Sequence, residues 1–116
     1  MSLLNVGSEE ILGGKAVILH LDGELDISGA GALQKALVEL DRDPPPVLAL
    51  DLRGLSFIDS SGLRAILAAD DAARREGRRV ILIEGPPDVQ EVFRITLLEE
   101  RFQFVEHPDE LPPLLR

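Results

Sequence analysis

The sequence predicts an α/β domain: a mixed, largely parallel sheet of four to five strands with about four helices, spread over residues 1–116 as one unit. Three observations predict it. Short aliphatic runs alternate with segments of helical periodicity. The links between them are short and rich in Gly and Pro. Two of the runs, Val47-Leu48-Ala49-Leu50 and Val80-Ile81-Leu82-Ile83, are wholly apolar, as strands covered on both faces tend to be.

Ala16-Val17-Ile18-Leu19-His20-Leu21 is a strand closed by Asp22-Gly23. Before it, residues 9–12 form a short partner strand, with Gly13-Gly14 as the hairpin turn. Leu33, Ala36, Leu37 and Leu40 fall at helical spacing, placing an amphipathic helix over about 29–40. Pro44-Pro45-Pro46 cannot continue it. The buried strand 47–52 follows, then a turn, then a helix over about 60–76. Leu63, Ile66, Leu67 and Ala73 make the inner stripe of that helix, and Gly77 is its C′ residue. Arg74, Arg75, Arg78 and Arg79 crowd the same end, where cations complement the helix dipole and solvent holds them. After strand 80–83 and Gly85-Pro86-Pro87, a third helix spans about 88–98 with Val89, Val92, Phe93 and Leu97 inward. Residues 102–105 make a last strand, and 109–115 a short terminal helix interrupted by Pro112-Pro113. Strands joined through helices by short links give right-handed crossovers and parallel pairing.

Composition excludes several classes of function. Apolar residues are 45% of the chain and aromatics 3%, so the core is aliphatic. Formal net charge is −9, from 21 acidic and 12 basic residues. Such a chain repels nucleic acid and suits a partner with a basic face. With no cysteine, disulfides and thiolate chemistry fall away. The first fourteen residues lack a signal-peptide pattern, and no apolar run is long enough to span a bilayer. A cytoplasmic monomer without membrane insertion is expected.

Catalytic and cofactor motifs are missing. The chain carries no phosphate-binding G-x-x-x-x-G-K-[ST] loop and no G-x-S-x-G elbow. Gly29-Ala30-Gly31 lacks the third glycine of a dinucleotide fingerprint. His20 and His107 stand apart from each other and from any ligand pattern, so neither is read as a metal ligand and His20 is taken as a packed or surface residue. Asp22, Glu24 and Asp26 alternate, but an EF-hand loop needs Gly where Ile27 stands and Glu where Leu33 stands. They are read as a solvated strand end. No catalytic residue, cofactor or metal is assigned.

The most informative segment is the turn Asp59-Ser60-Ser61-Gly62, between a buried strand and a helix. Sites on open α/β sheets gather at such carboxyl ends. Asp and Ser are good N-caps, and a capped helix start alone would account for much of the motif. A second hydroxyl is redundant for capping, however, and Gly62 in the first turn costs about 1 kcal/mol against Ala. The glycine leaves the backbone open to another chain or a phosphate. A phosphate on Ser60 would sit at a helix N-terminus, where amides and dipole tolerate its charge of about −2.

Three blocks of the chain resemble the STAS domain family, and within it the small bacterial anti-sigma factor antagonists. They are Gly23-Glu24-Leu25-Asp26, then Asp51-Leu52 through Phe57-Ile58-Asp59-Ser60-Ser61-Gly62-Leu63, and strand 80–83 followed by Pro87 and Val92-Phe93. The resemblance implies a STAS-type fold and a partner switch. Ser60 matches the serine phosphorylated by the anti-sigma factor, itself a serine kinase. The unphosphorylated form binds that kinase and frees the sigma factor, and a serine phosphatase acts on the phosphorylated form. Asp26 matches a position near the modified serine, so Asp26, Asp59, Ser60, Ser61 and Gly62 form the implied partner surface. ATP belongs to the kinase, and the chain is substrate and ligand rather than enzyme. Two departures stand out. Relatives often end the third helix with Thr-Gly-Leu where this chain has Thr96-Leu97-Leu98, and the capping role near Asp26 is expected to shift to Ser28. A STAS module serving as a non-catalytic subunit of a transporter or larger signalling complex is the alternative. An enzyme built on Asp22, Glu24 and Asp26 is a remote third.

Overall fold

A computed structural model describes residues 3–115; Met1, Ser2 and Arg116 lie outside the described residues. Five strands form one sheet in the spatial order β1-β2-β3-β4-β5. They are β1 (Leu4–Ile11), β2 (Ala16–Leu25), β3 (Val47–Ile58), β4 (Arg79–Ile83) and β5 (Gln103–Val105). The first pair is antiparallel and the other three are parallel. Helices α1 (Ile27–Leu40), α2 (Ser60–Arg75) and α3 (Pro87–Ile95) are the crossovers, and α4 (Leu111–Leu114) ends the fold.

Alternation within the strands divides the core in two. Val17, Leu19 and Leu21 of β2, Leu48, Leu50 and Leu52 of β3, and Val80 and Leu82 of β4 pack with Leu33, Leu63, Ile66, Val89 and Phe93 of the three crossover helices. The other face carries Ile18, Ala49, Ile81 and Ile83, joined by Leu111. Phe93 stands edge-on to Phe102 and Phe104, with centroids 5.9 and 5.4 Å away, which is a favoured aromatic geometry.

Several expected boundaries change, each for a local reason. The partner strand begins at Leu4 rather than Glu9. As an edge strand it is mostly exposed and polar, which hides it from hydrophobic patterning. A three-residue 3-10 turn, Leu12–Gly14, makes the hairpin in place of Gly13-Gly14 alone. The second strand passes through Asp22-Gly23 to Leu25. Gly23 takes φ +120°, with the Leu3 carbonyl where a side chain would stand.

The turn expected after Leu52 is strand. β3 carries two register shifts against β2, one after Asp51 and one after Leu55. Each inserts a residue, so Leu52, Leu55 and Ile58 all reach the same core cluster at a spacing of three. That spacing matches neither the strand nor the helix period, because bulges interrupt the pleat.

Helix ends also differ. Leu97 is 86% exposed, not inward. It lies past the end of α3 with φ 61°, while Leu98 N–H donates to the Phe93 carbonyl over 2.9 Å. Gly77 holds the equivalent left-handed position after α2, and Arg78 N–H donates to Ala73 at 2.8 Å. Pro112 and Pro113 do not interrupt α4: they stand in its first turn, where a missing N–H is harmless.

Candidate functional site

β2 and β3 end side by side, Leu25 opposite Ile58, and a helix starts immediately beyond each. The two starts share a design. Asp26 caps α1, its Oδ1 accepting from Ser28 N and Gly29 N, both at 2.9 Å. Asp59 caps α2 in the same way, its Oδ1 accepting from Ser61 N at 2.9 Å and Gly62 N at 3.1 Å. The capping role therefore falls to Asp26 and not to Ser28. The local pattern Asp-x-Ser-Gly thus occurs twice, as Asp26-Ile27-Ser28-Gly29 and Asp59-Ser60-Ser61-Gly62.

Both glycines are buried, packed against the end of β2. A Cβ on Gly29 would lie 2.2 Å from the Glu24 carbonyl oxygen, and one on Gly62 would lie 2.3 Å from that of Leu25. The openness expected at Gly62 is thus filled by the chain's own β2 backbone. What the glycine permits is close seating of α2 on the strand end, not the approach of a partner.

Ser60 is the first residue of α2 and is exposed, while Asp59 and Ser61 are half-buried. The structure brings Asp26, Asp59, Ser60 and Ser61 to one corner of the fold. The expectation that helix amides would receive a phosphate changes here. Asp59 Oδ1 already takes the amides of Ser61 and Gly62, and Leu63 N–H donates to the Asp59 carbonyl over 3.0 Å.

Three neighbours to which the sequence assigns no role at the site surround this corner. Ile27 is 79% exposed and Phe57 is 49% exposed, so apolar surface lies at the start of α1 and the end of β3. Arg64, one turn along α2, donates from Nη2 to Ser61 Oγ over 3.4 Å. It also lines a groove of about 420 Å³ between α1 and α2, with Leu37, Ala65 and Ala68 among its walls. The spacing of Arg64 four residues after Ser60 was the available signal.

The other titratable clusters lie elsewhere. His20 is held between two carboxylates, Nδ1 being 2.7 Å from Asp51 Oδ2 and Nε2 2.8 Å from Glu9 Oε1. Carboxylates only accept, so both contacts favour the imidazolium. The Glu9 hydrogen bond lifts its pKa most, burial opposes, and Asp51 adds to the rise; the net is above the ordinary value. Burial pushes the Asp51 carboxyl up, but Arg53's side-chain and backbone hydrogen bonds and the one from His20 outweigh it, leaving it lowered. The Arg cluster after α2 is partly tied down: Arg74 Nε and Arg101 Nη2 stand 2.9 and 3.2 Å from the buried Asp70. Among the described residues, no group of three or more His, Cys, Asp or Glu is placed to hold a metal ion. Asp22, Glu24 and Asp26 form no such set. No helix among the described residues is long and apolar enough to cross a membrane.

The sequence model of the STAS domain matches residues 8–111, and the chain belongs to the STAS domain family. In sequence it is similar to the anti-sigma-F factor antagonist RsfB of Mycobacterium tuberculosis, 35% identical over 54 residues, which are 47% of this chain and 44% of that protein. The match thus spans less than half the length of that relative. In structure it is similar to an anti-sigma factor antagonist from Mycobacterium paratuberculosis, with a TM-score of 0.83 at 24% identity, covering 98% of this chain and 95% of that one. It is also similar to Bacillus SpoIIAA in the phosphorylated form, with a TM-score of 0.74 at 21% identity, covering 97% of this chain and all of the other. At these identities the structural likeness establishes the shared fold.

Proposed function

We propose that this chain is a cytoplasmic anti-sigma factor antagonist whose binding is switched off by phosphorylation of Ser60. The observation that carries the reading is the exposed Ser60 hydroxyl at the first position of a helix already capped by Asp59. An anti-sigma factor serine kinase binds the unphosphorylated corner formed by Asp26, Asp59, Ser60 and Ser61, with Gly62 seating the helix beneath it. Binding releases the sigma factor. The kinase then transfers the γ-phosphoryl group of its ATP to Ser60 Oγ, the hydroxyl proton passes to a base on the kinase, and ADP departs. A serine phosphatase reverses the modification by hydrolysis. The chain itself is substrate and ligand in this cycle.

The local physics supports a switch of surface rather than of fold. Capping of α1 and α2 depends on Asp26 and Asp59, so charging Ser60 removes no cap. A phosphate adds about −2 charge to a corner that already carries two carboxylates. Like-charge crowding within the corner and the cost of desolvating the phosphate in a closely fitted interface then fall on the complex.

Incubation with the cognate anti-sigma kinase and ATP is expected to label the wild type on Ser60 and to leave Ser60→Ala unlabelled. Label on Ser56 or Ser61 would overturn the site assignment. Ser60→Asp is expected to bind the kinase at least tenfold more weakly than Ser60→Ala, a difference of about 1.4 kcal/mol. Equal affinities by calorimetry would sink the charge switch. Capture of transporter subunits instead of an ATP-binding kinase would favour the structural-subunit alternative.

A further inference from the structure

We infer that Arg64 is the residue that receives a phosphate on Ser60, and that it rather than the start of α2 sets the electrostatics of the modified state. The inference rests on Ser60 as the modified residue. Three observations carry it. First, Asp59 Oδ1 occupies the amides of Ser61 and Gly62, two of the donors that a helix start would otherwise offer an anion. Second, Ser60 and Arg64 are one turn apart on α2, and residues at this spacing are neighbours on a helix surface. Third, Arg64 already leans toward the cap: its Nη2 reaches Ser61 Oγ, the hydroxyl next in sequence to Ser60, over 3.4 Å. That contact is long for a hydrogen bond and is readily exchanged for a charge-assisted one.

The charged groups that the helix caps and the Ser61 contact place at this corner are Asp59, Asp26 at the start of α1, and Arg64. The two aspartates are anionic. A phosphate among them gains most from the Arg64 guanidinium, whose planar fork matches two phosphoryl oxygens. Phosphorylation therefore changes two features together. It adds negative charge, and it draws in a cation that in the unmodified chain stands exposed at the mouth of the α1–α2 groove.

The test installs phosphoserine at position 60 during translation, so it needs no kinase. Phosphorus NMR then follows the second ionisation of the phosphate in the wild type and in Arg64→Gln. An exposed phosphate ionises near pH 6. The wild type is expected to ionise about one unit lower than Arg64→Gln at low salt, and Arg64→Lys to recover part of the difference. The gap should shrink in 1 M NaCl, where screening acts over about 3 Å. Identical titrations in the wild type and Arg64→Gln would overturn the inference while leaving kinase labelling of Ser60 untouched. Arg64 is exposed, so Arg64→Gln is expected to fold, and matching amide spectra of the unmodified proteins check it.

Discussion

At the scale of single residues, Gly62 shows how one local preference yields to another. Alanine there would gain about 1 kcal/mol of helix propensity. Its Cβ would nonetheless fall 2.3 Å from a backbone oxygen and 2.7 Å from Leu25 Cγ, and a strand end cannot swing aside as a flexible side chain does. Overpacking of this kind costs about 1–3 kcal/mol or more, so the steric term wins. Gly62→Ala is expected to lower the unfolding free energy, read from urea denaturation, by a net of up to about 2 kcal/mol, the difference between those two terms. Gly31 is the control: it lies in the same kind of helix with nothing within 4 Å of its Cβ position. Gly31→Ala should stabilise by about 1 kcal/mol. Equal responses at the two positions would contradict the seating role of Gly62. The glycine was legible in the sequence as out of place, but its neighbour was not, because Leu25 approaches only through strand pairing.

At the scale of elements, the end of α3 carries an uncommon choice. Leu97 adopts φ 61°, a left-handed conformation that costs an L-residue about 1–2 kcal/mol. It recovers nothing through burial, being 86% exposed. The departure from Thr-Gly-Leu at Thr96-Leu97-Leu98 thus keeps the helix-ending geometry and bears the strain. Leu97→Gly is expected to raise stability by up to about 1 kcal/mol, the relief of strain being partly offset by a freer unfolded chain. A fall in melting temperature would show that Leu97 makes a contact worth more than its strain. Strand β3 gives the complementary lesson. Past Leu52 the sequence predicts a turn, since Leu52, Leu55 and Ile58 recur every third residue and fit no strand period. Two bulges against β2 restore them to one face, and bulges have no reliable signature in a single sequence.

At the scale of the whole molecule, the Glu9–His20–Asp51 bridge ties three strands together. Glu9 belongs to β1, His20 to β2, and Asp51 to β3 with Arg53 behind it, the latter donating from Nε to Asp51 Oδ1 over 2.9 Å. The folded state raises the His20 pKa above its unfolded value of about 6.5. Folded protein therefore holds more protons in that window, and stability declines as pH rises through it. Asp51 works in the opposite sense: its pKa is lowered, so its contribution is present above about pH 4 and is lost on further acidification. Denaturation of the wild type and His20→Gln should show the wild type's advantage at pH 5.5 and its narrowing by pH 8.5. A constant difference across that range would mean that the bridge does not titrate with folding. The sequence predicts His20 only as a packed or surface residue and holds no hint of its partners. Both lie on other strands, aligned only by register.

The sequence by itself determined the alternation of strands and helices, the two-sided burial of β3 and β4, and the segment Asp59-Ser60-Ser61-Gly62 as the place to look. Those features reside in contiguous residues, where periodicity and capping chemistry act over a turn or two. Tertiary structure alone decided that Asp26 and not Ser28 would cap α1 as Asp59 caps α2, that Gly62 would be closed by β2, and that Glu9 would reach His20. Each depends on which strands pair and in what register, and pairing energy comes from contacts between segments far apart along the chain. The corner at Ser60 is thus a local motif completed by a distant one.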